Sequence, residues 1–269
     1  MITRTKDIRT QAARLQVPQL VNVTSLLSLS NLPYLFMVPQ ITHLTFDFFG
    51  TLVQYKPGHF AGDKKYKKSF AYLQANKYPN NYETFVKEYA EIFNMLTEQS
   101  LKTYKEFHMD AVTDIFFNEN KLYIPDQIRD AFTKTYLQEW NENVVYFPEI
   151  KTFIKRLKKK YSLSIISNTH YSPLVINNVK NMDIESAFDL IVTSVEHGRF
   201  KPDSLIFTDT LKSLNTSPEH TIHIGDSYND DFIGAKNAGM RCILIDSDKK
   251  YEGQVKDRVN SLFDIESLL

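Results

Sequence analysis

The chain has 269 residues, 42% of them apolar and 24% charged, enough for one generous globular domain or two modest ones. Its 32 basic and 32 acidic side chains cancel, so no overall field selects nucleic acid or an anionic membrane as a partner. A single cysteine, Cys242, excludes disulfides and cysteine-built zinc sites and suits a reducing cytoplasm, and no run approaches the roughly 20 apolar residues of a spanning helix.

From the N-terminus, residues 1–36 hold three of the eight arginines (Arg4, Arg9 and Arg14) and one acid, Asp7, with no helix-plus-cleavage pattern. They read as a leader, disordered or non-native to the fold: a weak organellar transit peptide or upstream translated sequence, with Met37 just before the first strand. Short β-branched runs bounded by polar residues or glycine then predict five strands: "ITHLTF" (41–46), "LSIIS" (163–167), "FDLIVTS" (188–194), "TIHIG" (221–225) and "RCILID" (241–246). Apolar residues at three-to-four spacing predict helices in "EIKTFIKRLKKKY", "SPLVINNVKNM", "DSLIFTDTLKSLN" and "DDFIGAKNAGM". This alternation predicts an α/β fold, a Rossmann-like, doubly wound parallel sheet.

The stretch from Gly58 to Val144 breaks the alternation. It carries Tyr-, Phe- and Lys-rich helical segments such as "YETFVKEYAEIFNML", and reads as an inserted α-helical cap. The expected organisation is a core in two parts, 37–57 and 145–269, split by a cap over 58–144. The cap's 11 basic residues are balanced by 13 acidic ones, so the cluster Lys64, Lys65, Lys67 and Lys68 reads as a solvated face. The cap aromatics and Trp140 read as packing, and Cys242 as a buried strand thiol.

In an open parallel sheet ligands bind beyond the carboxyl ends of the strands. There the sequence places Asp47, Gly50 and Thr51 after the first strand, Ser167 and Asn168 after the second, Lys201 after the third, and Asp226, Asp230 and Asp231 after the fourth. A carboxylate nucleophile, hydroxyl and backbone donors, a lysine point charge and acids for a hard cation suit a phosphoryl group. A bridging Mg2+ would relieve the repulsion between carboxylate and phosphate.

In that order, "FDFFGTLV", "IISNT", "FKPD" and "HIGDSYNDDFIGAKNAGM" resemble the four motifs of the haloacid dehalogenase-like (HAD) hydrolase superfamily, over roughly residues 41–248. The resemblance implies Asp47 as nucleophile and metal ligand, the Phe49 carbonyl and Asp226 as further Mg2+ ligands, and Ser167 and Lys201 as phosphate holders. Gly50, Thr51 and Asn168 would contact the substrate, and Asp230 or Asp231 would orient Lys201 or a metal-bound water. The expected partner is a small phosphorylated molecule; the oligomeric state is left open.

Phosphatases of that superfamily usually carry a second aspartate, a general acid–base, where this chain has Phe49. Its loss costs typically ~10²- to 10⁴-fold while sparing nucleophile and clamp. The leading expectation is therefore a Mg2+-dependent phosphatase working through an aspartyl-phosphate, with water, His59 or His170 replacing the acid. A metal-free 2-haloacid dehalogenase fits Phe49, but not "GDS" or the absence of arginine between Asp47 and Arg129. A phosphonate-cleaving relative using a cap lysine and a non-catalytic phosphate-binding module are the other readings.

Overall fold

The computed structural model describes residues 39–57, 66–122 and 125–269, so the leader at 1–36, His59, Lys64 and Lys65 lie outside the described residues. The strands are β1 (His43–Phe46), β2 (Val53–Tyr55), β3 (Val144–Tyr146), β4 (Ser162–Ser167), β5 (Leu190–Thr193), β6 (Thr221–Gly225), β7 (Arg241–Ile245) and β8 (Arg258–Val259). The helices are α1 (Lys67–Ala75), α2 (Tyr82–Leu101), α3 (Met109–Glu119), α4 (Asp126–Asn141), α5 (Ile150–Lys158), α6 (Ser172–Asn181), α7 (Ser194–His197), α8 (Ser204–Ser213) and α9 (Gly234–Asn237).

Six strands form one parallel sheet in the order β5-β4-β1-β6-β7-β8, with the first strand at its centre. In register, Phe46 of β1 faces Ile165 of β4 and Ile224 of β6, so the three strands end at one level. Successive side chains leave opposite faces of a strand. Leu163 and Ile165 of β4 pack with Phe153 and Leu157 of α5 and Val175 of α6, whereas Ile166 joins Ile206 and Phe207 of α8 on the other face. Helix α5 shows the logic locally: Ile150, Phe153, Ile154 and Leu157 are buried while its lysines point out. Cys242 lies fully buried in β7, where burial pushes its thiol well above the usual range.

Helices α1 to α4 follow β2 and precede β3, and these two strands pair antiparallel, Val53 opposite Tyr146 and Tyr55 opposite Val144. The four helices bury an aromatic core of their own around Phe85, Tyr89, Phe116 and Phe132. Asn81 starts α2 by accepting the Thr84 N–H at 2.9 Å. Lys67 and Lys68 are exposed, with Lys68 paired to Glu142. Among the described residues no helix is long and apolar enough to cross a membrane.

Two local features differ from the sequence expectation. Strands β2, β3 and β8 have only two or three residues, too short for a period-two pattern to emerge. The segment read as one helix from Asp230 begins instead as a π-helical turn over Tyr228–Ile233, and α9 follows it. Ser227 causes the widening: its carbonyl accepts from Phe232 N at 3.1 Å, its hydroxyl accepts from Asp230 N at 3.1 Å, and its own N–H binds the Asp231 carboxylate.

Candidate active site

Asp47 is the first residue beyond β1, and its N–H still donates to the Ile224 carbonyl at 2.8 Å, which holds it at the sheet's carboxyl edge. Lys201, from the loop after α7, reaches the same point. Its main chain is clamped by Asn168, whose side chain donates to the Lys201 carbonyl at 2.9 Å and accepts from the Lys201 N–H at 2.8 Å. The Lys201 ammonium donates to Asp47 Oδ1 and Asp231 Oδ1, each at 2.6 Å. All three side chains are buried.

The chain of contacts continues inward. Asp231 Oδ1 accepts from His223 Nε2 at 3.0 Å, and His223 Nδ1 lies 2.8 Å from the Thr45 hydroxyl. Burial lowers the His223 pKa, so the ring is neutral; with Nε2 donating to the carboxylate, Nδ1 accepts from Thr45. Burial would raise Asp231, but Lys201 and His223 outweigh it and hold this acid well below the usual carboxylate range. Burial likewise opposes the Lys201 charge, yet Asp231 and Asp47 keep its pKa above the ordinary value. Asp47 fares differently: burial, reinforced by the charges of Asp231 and Asp226 and only partly offset by Lys201, pushes it up to about 8.

Asp226 lies just beyond β6. Thr51 donates to its Oδ1 at 3.1 Å, and desolvation, then the charge of Asp231, raises it to about 6. The Thr51 hydrogen bond and the Lys201 charge offset part of that rise. Gly50 has a φ of +92°, and a Cβ there would strike the Asp226 carboxylate. Gly225 meets the same restriction against Asp231. Both glycines let the backbone pass directly against the acids.

One carboxylate oxygen each from Asp47, Asp226 and Asp231 lies within 4.8 Å of the others. Three acids and one lysine leave an excess of negative charge, and oxygen donors suit a hard divalent cation such as Mg2+. Asp231 is already saturated by Lys201, His223 and the Ser227 N–H. Asp47 and Asp226 are therefore the acids left to hold a cation.

The remaining expected residues divide. Ser167 is buried at the end of β4, and its hydroxyl has only the Asn168 carbonyl at 3.5 Å among the described residues. Asp230 accepts from the Asn229 side chain at 3.0 Å and lines a neighbouring cavity, so Asp231 alone of the pair anchors Lys201. The Phe49 ring turns into an aromatic group, 4.9 Å from Phe48 and 5.2 Å from Trp140 between centroids. His170 lines the cavity with Nδ1 2.8 Å from Glu106 Oε1. Thr45 and His223 are absent from the sequence reading. The only available signal is that a period-two face places both polar side chains among apolar neighbours inside strands.

These features define a class: a doubly wound α/β sheet whose strand ends carry a carboxylate-centred site, interrupted after its first strand by a helical insertion. The profile of the haloacid dehalogenase-like hydrolases matches residues 45–245, and the chain belongs to that family. The 2-haloacid dehalogenase of Pseudomonas syringae superposes with a TM-score of 0.67 at 20% identity, over 85% of this chain and 98% of that one. A HAD phosphatase from Thermococcus onnurineus superposes with a TM-score of 0.52 at 18% identity, over 85% and 97%. Both likenesses speak for the fold. In sequence, a glyceraldehyde 3-phosphate phosphatase of Methanothermobacter thermautotrophicus is 36% identical over 107 residues, 38% of this chain and 45% of its own length. A ribulose-1,5-bisphosphate 5-phosphatase of Halopiger xanaduensis is 26% identical over 117 residues, 44% and 47% of the two chains. The chain thus spans under half the length of either curated relative.

Proposed function

We propose that the protein is a Mg2+-dependent phosphatase of a small phosphorylated metabolite, acting through an aspartyl-phosphate. The observation that carries this reading is the Lys201 ammonium held 2.6 Å from both Asp47 and Asp231, with Asp226 in reach of the same point. The phosphatase names of the two sequence relatives support it. In this mechanism an Asp47 oxygen attacks phosphorus, the bond from phosphorus to the leaving oxygen breaks, and that oxygen takes a proton from solvent. Water then attacks the aspartyl-phosphate, releasing inorganic phosphate and restoring Asp47.

Lys201, Ser167, Asn168, Gly50 and Thr51 are the proposed phosphate contacts, and Asp231 keeps Lys201 charged and aimed. Asp47, Asp226 and the Phe49 carbonyl would hold Mg2+, whose charge offsets the repulsion between the two anions. Phe49 offers no proton, so esters with good leaving groups are expected to turn over fastest. A single buried cysteine fits a reducing compartment such as the cytoplasm.

The deciding experiment is hydrolysis of p-nitrophenyl phosphate with Mg2+ and with EDTA, in the wild type and in Asp47→Asn. Phosphate release that needs both the metal and Asp47 is the expected result. Because Phe49 also suits a dehalogenase, chloride release from 2-chloropropionate is measured alongside. Chloride release indifferent to EDTA, without phosphate release, would replace the proposal.

A further inference from the structure

A cavity of 690 Å³ lies between the helical insertion and the sheet and meets the site at Lys201 and Asn168. That is the size of a pocket for a whole small molecule, not for a phosphate alone. Its walls are largely aromatic: Phe49, Phe93, Tyr104, Phe107, Trp140 and Phe200 all contribute.

Its charged groups are partly committed, while Asn94, Ser100 and Asp230 add polar points to the lining. Glu106, nearly buried, is engaged by His170 at 2.8 Å and by the Ser194 hydroxyl at 2.6 Å. The Thr97 hydroxyl turns back to the Phe93 carbonyl at 2.9 Å. Lys201 is taken by Asp47 and Asp231, and no arginine or second lysine lines the cavity among the described residues. A flat apolar body gains burial against the rings that a polyol of the same size does not. Leu101, 55% exposed, and Tyr104, 41% exposed, extend the apolar surface further.

Phe49 ties the cavity to the chemistry. Its ring, packed edge-on to Trp140, lines the cavity and has no proton to give a leaving oxygen. A phenolate leaves without that proton far more readily than an alkoxide. We infer that the substrates are phosphate monoesters of phenols with an extended apolar body, rather than sugar phosphates. This inference rests on the phosphatase reading above. The reaction is the same two-step transfer: the bond from phosphorus to the aryl oxygen breaks, the phenol departs with a solvent proton, and water releases phosphate from Asp47.

The test compares phenyl phosphate, 2-naphthyl phosphate and glyceraldehyde 3-phosphate, all with Mg2+ and the full chain, and titrates 2-naphthol by fluorescence without metal. Phenol and 2-naphthol differ little in acidity, so the second ring reports burial. The expected kcat/KM rises roughly tenfold from phenyl to 2-naphthyl phosphate, with glyceraldehyde 3-phosphate below both. Phe93→Ser is expected to erase most of that ratio. Leu101→Asp, at an exposed position that spares folding, lowers it about two- to threefold. The 2-naphthol dissociation constant is expected below about 1 mM.

Phosphate release from all three esters with no gain from the second ring, and no 2-naphthol binding, would overturn the substrate class and leave the phosphatase standing. Tight 2-naphthol binding with no phosphate release from any ester would overturn the phosphatase reading and the ester class with it.

Discussion

Replacing Asp231 by asparagine tests the buried relay most directly. Three donors converge on this side chain: Lys201 Nζ at 2.6 Å and His223 Nε2 at 3.0 Å on Oδ1, and the Ser227 N–H at 2.9 Å on Oδ2. An amide of the same shape has one acceptor oxygen. If that oxygen serves Lys201 and His223, the NH2 group faces the Ser227 N–H, donor against donor; if it turns, the NH2 meets the ammonium. Either way at least one buried donor loses its partner, and Lys201 keeps only Asp47 to balance its charge. Breaking a buried pair in this manner costs about 3–5 kcal/mol, a large part of the 5–15 kcal/mol that stabilises a typical domain. For a domain of this size that corresponds to a fall in Tm of roughly 6–20 °C, read by circular dichroism at pH 7. Asp230→Asn, one residue away and not bonded to Lys201, is expected to stay within about 0.5 kcal/mol of wild type. A fall in Tm below about 2 °C in Asp231→Asn would refute the reasoning. The acid limb adds a second check. Asp231 holds its proton more weakly folded than unfolded, so its stabilisation is complete above the ordinary carboxylate pKa and is lost as pH falls below it; the variant is expected to show a shallower acid loss.

Other consequences of the site are equally measurable. Burial pushes the Asp47 pKa up to about 8, so its contribution to stability is complete below the ordinary carboxylate pKa and is lost progressively as pH rises to about 8; added Mg2+ is expected to restore Tm at pH 9, and EDTA to reverse it. Gly225→Ala would drive a Cβ into the Asp231 carboxylate, with an expected loss of about 1–3 kcal/mol and of phosphate release; unchanged urea unfolding would contradict the close approach. Phe49→Asp returns an acid beside the leaving group and is expected to raise alkyl phosphate turnover by up to about 10²-fold while lowering Tm through the lost packing on Phe48 and Trp140. No gain in turnover by a folded variant would show that something else already supplies the proton.

Much of this arrangement was legible in the chain. The apolar runs ending in Asp47, Ser167 and Asp226 carry both the strands and the polar residues that follow them, because a parallel sheet brings all its carboxyl ends to one edge. What stayed hidden has physical reasons. Asp230 and Asp231 are chemically identical in sequence, and only the π-helical turn set by Ser227 decides which one faces Lys201. Asn168 looks like a phosphate contact, yet it also clamps the Lys201 backbone, a pairing of loops far apart in the chain. His223 sits inside an apolar strand, and its value depends on Thr45 from the neighbouring strand, which no local pattern reports. The cavity walls come from helices whose periodicity is visible but whose mutual packing is not.

The central place of β1 also bears on how the chain is made. His43 pairs with Ser162 on one side and Thr221 on the other, so the ribosome must deliver the whole helical insertion, and then most of the sheet, before this strand has both neighbours. At bacterial to eukaryotic elongation rates that wait is on the order of ten seconds. The insertion, built from contacts between helices close in sequence, is able to consolidate while β1 remains an unpaired apolar segment. Asp47 thus emerges early yet gains its charged neighbours late, once distant translation has brought Lys201 and Asp226 to it.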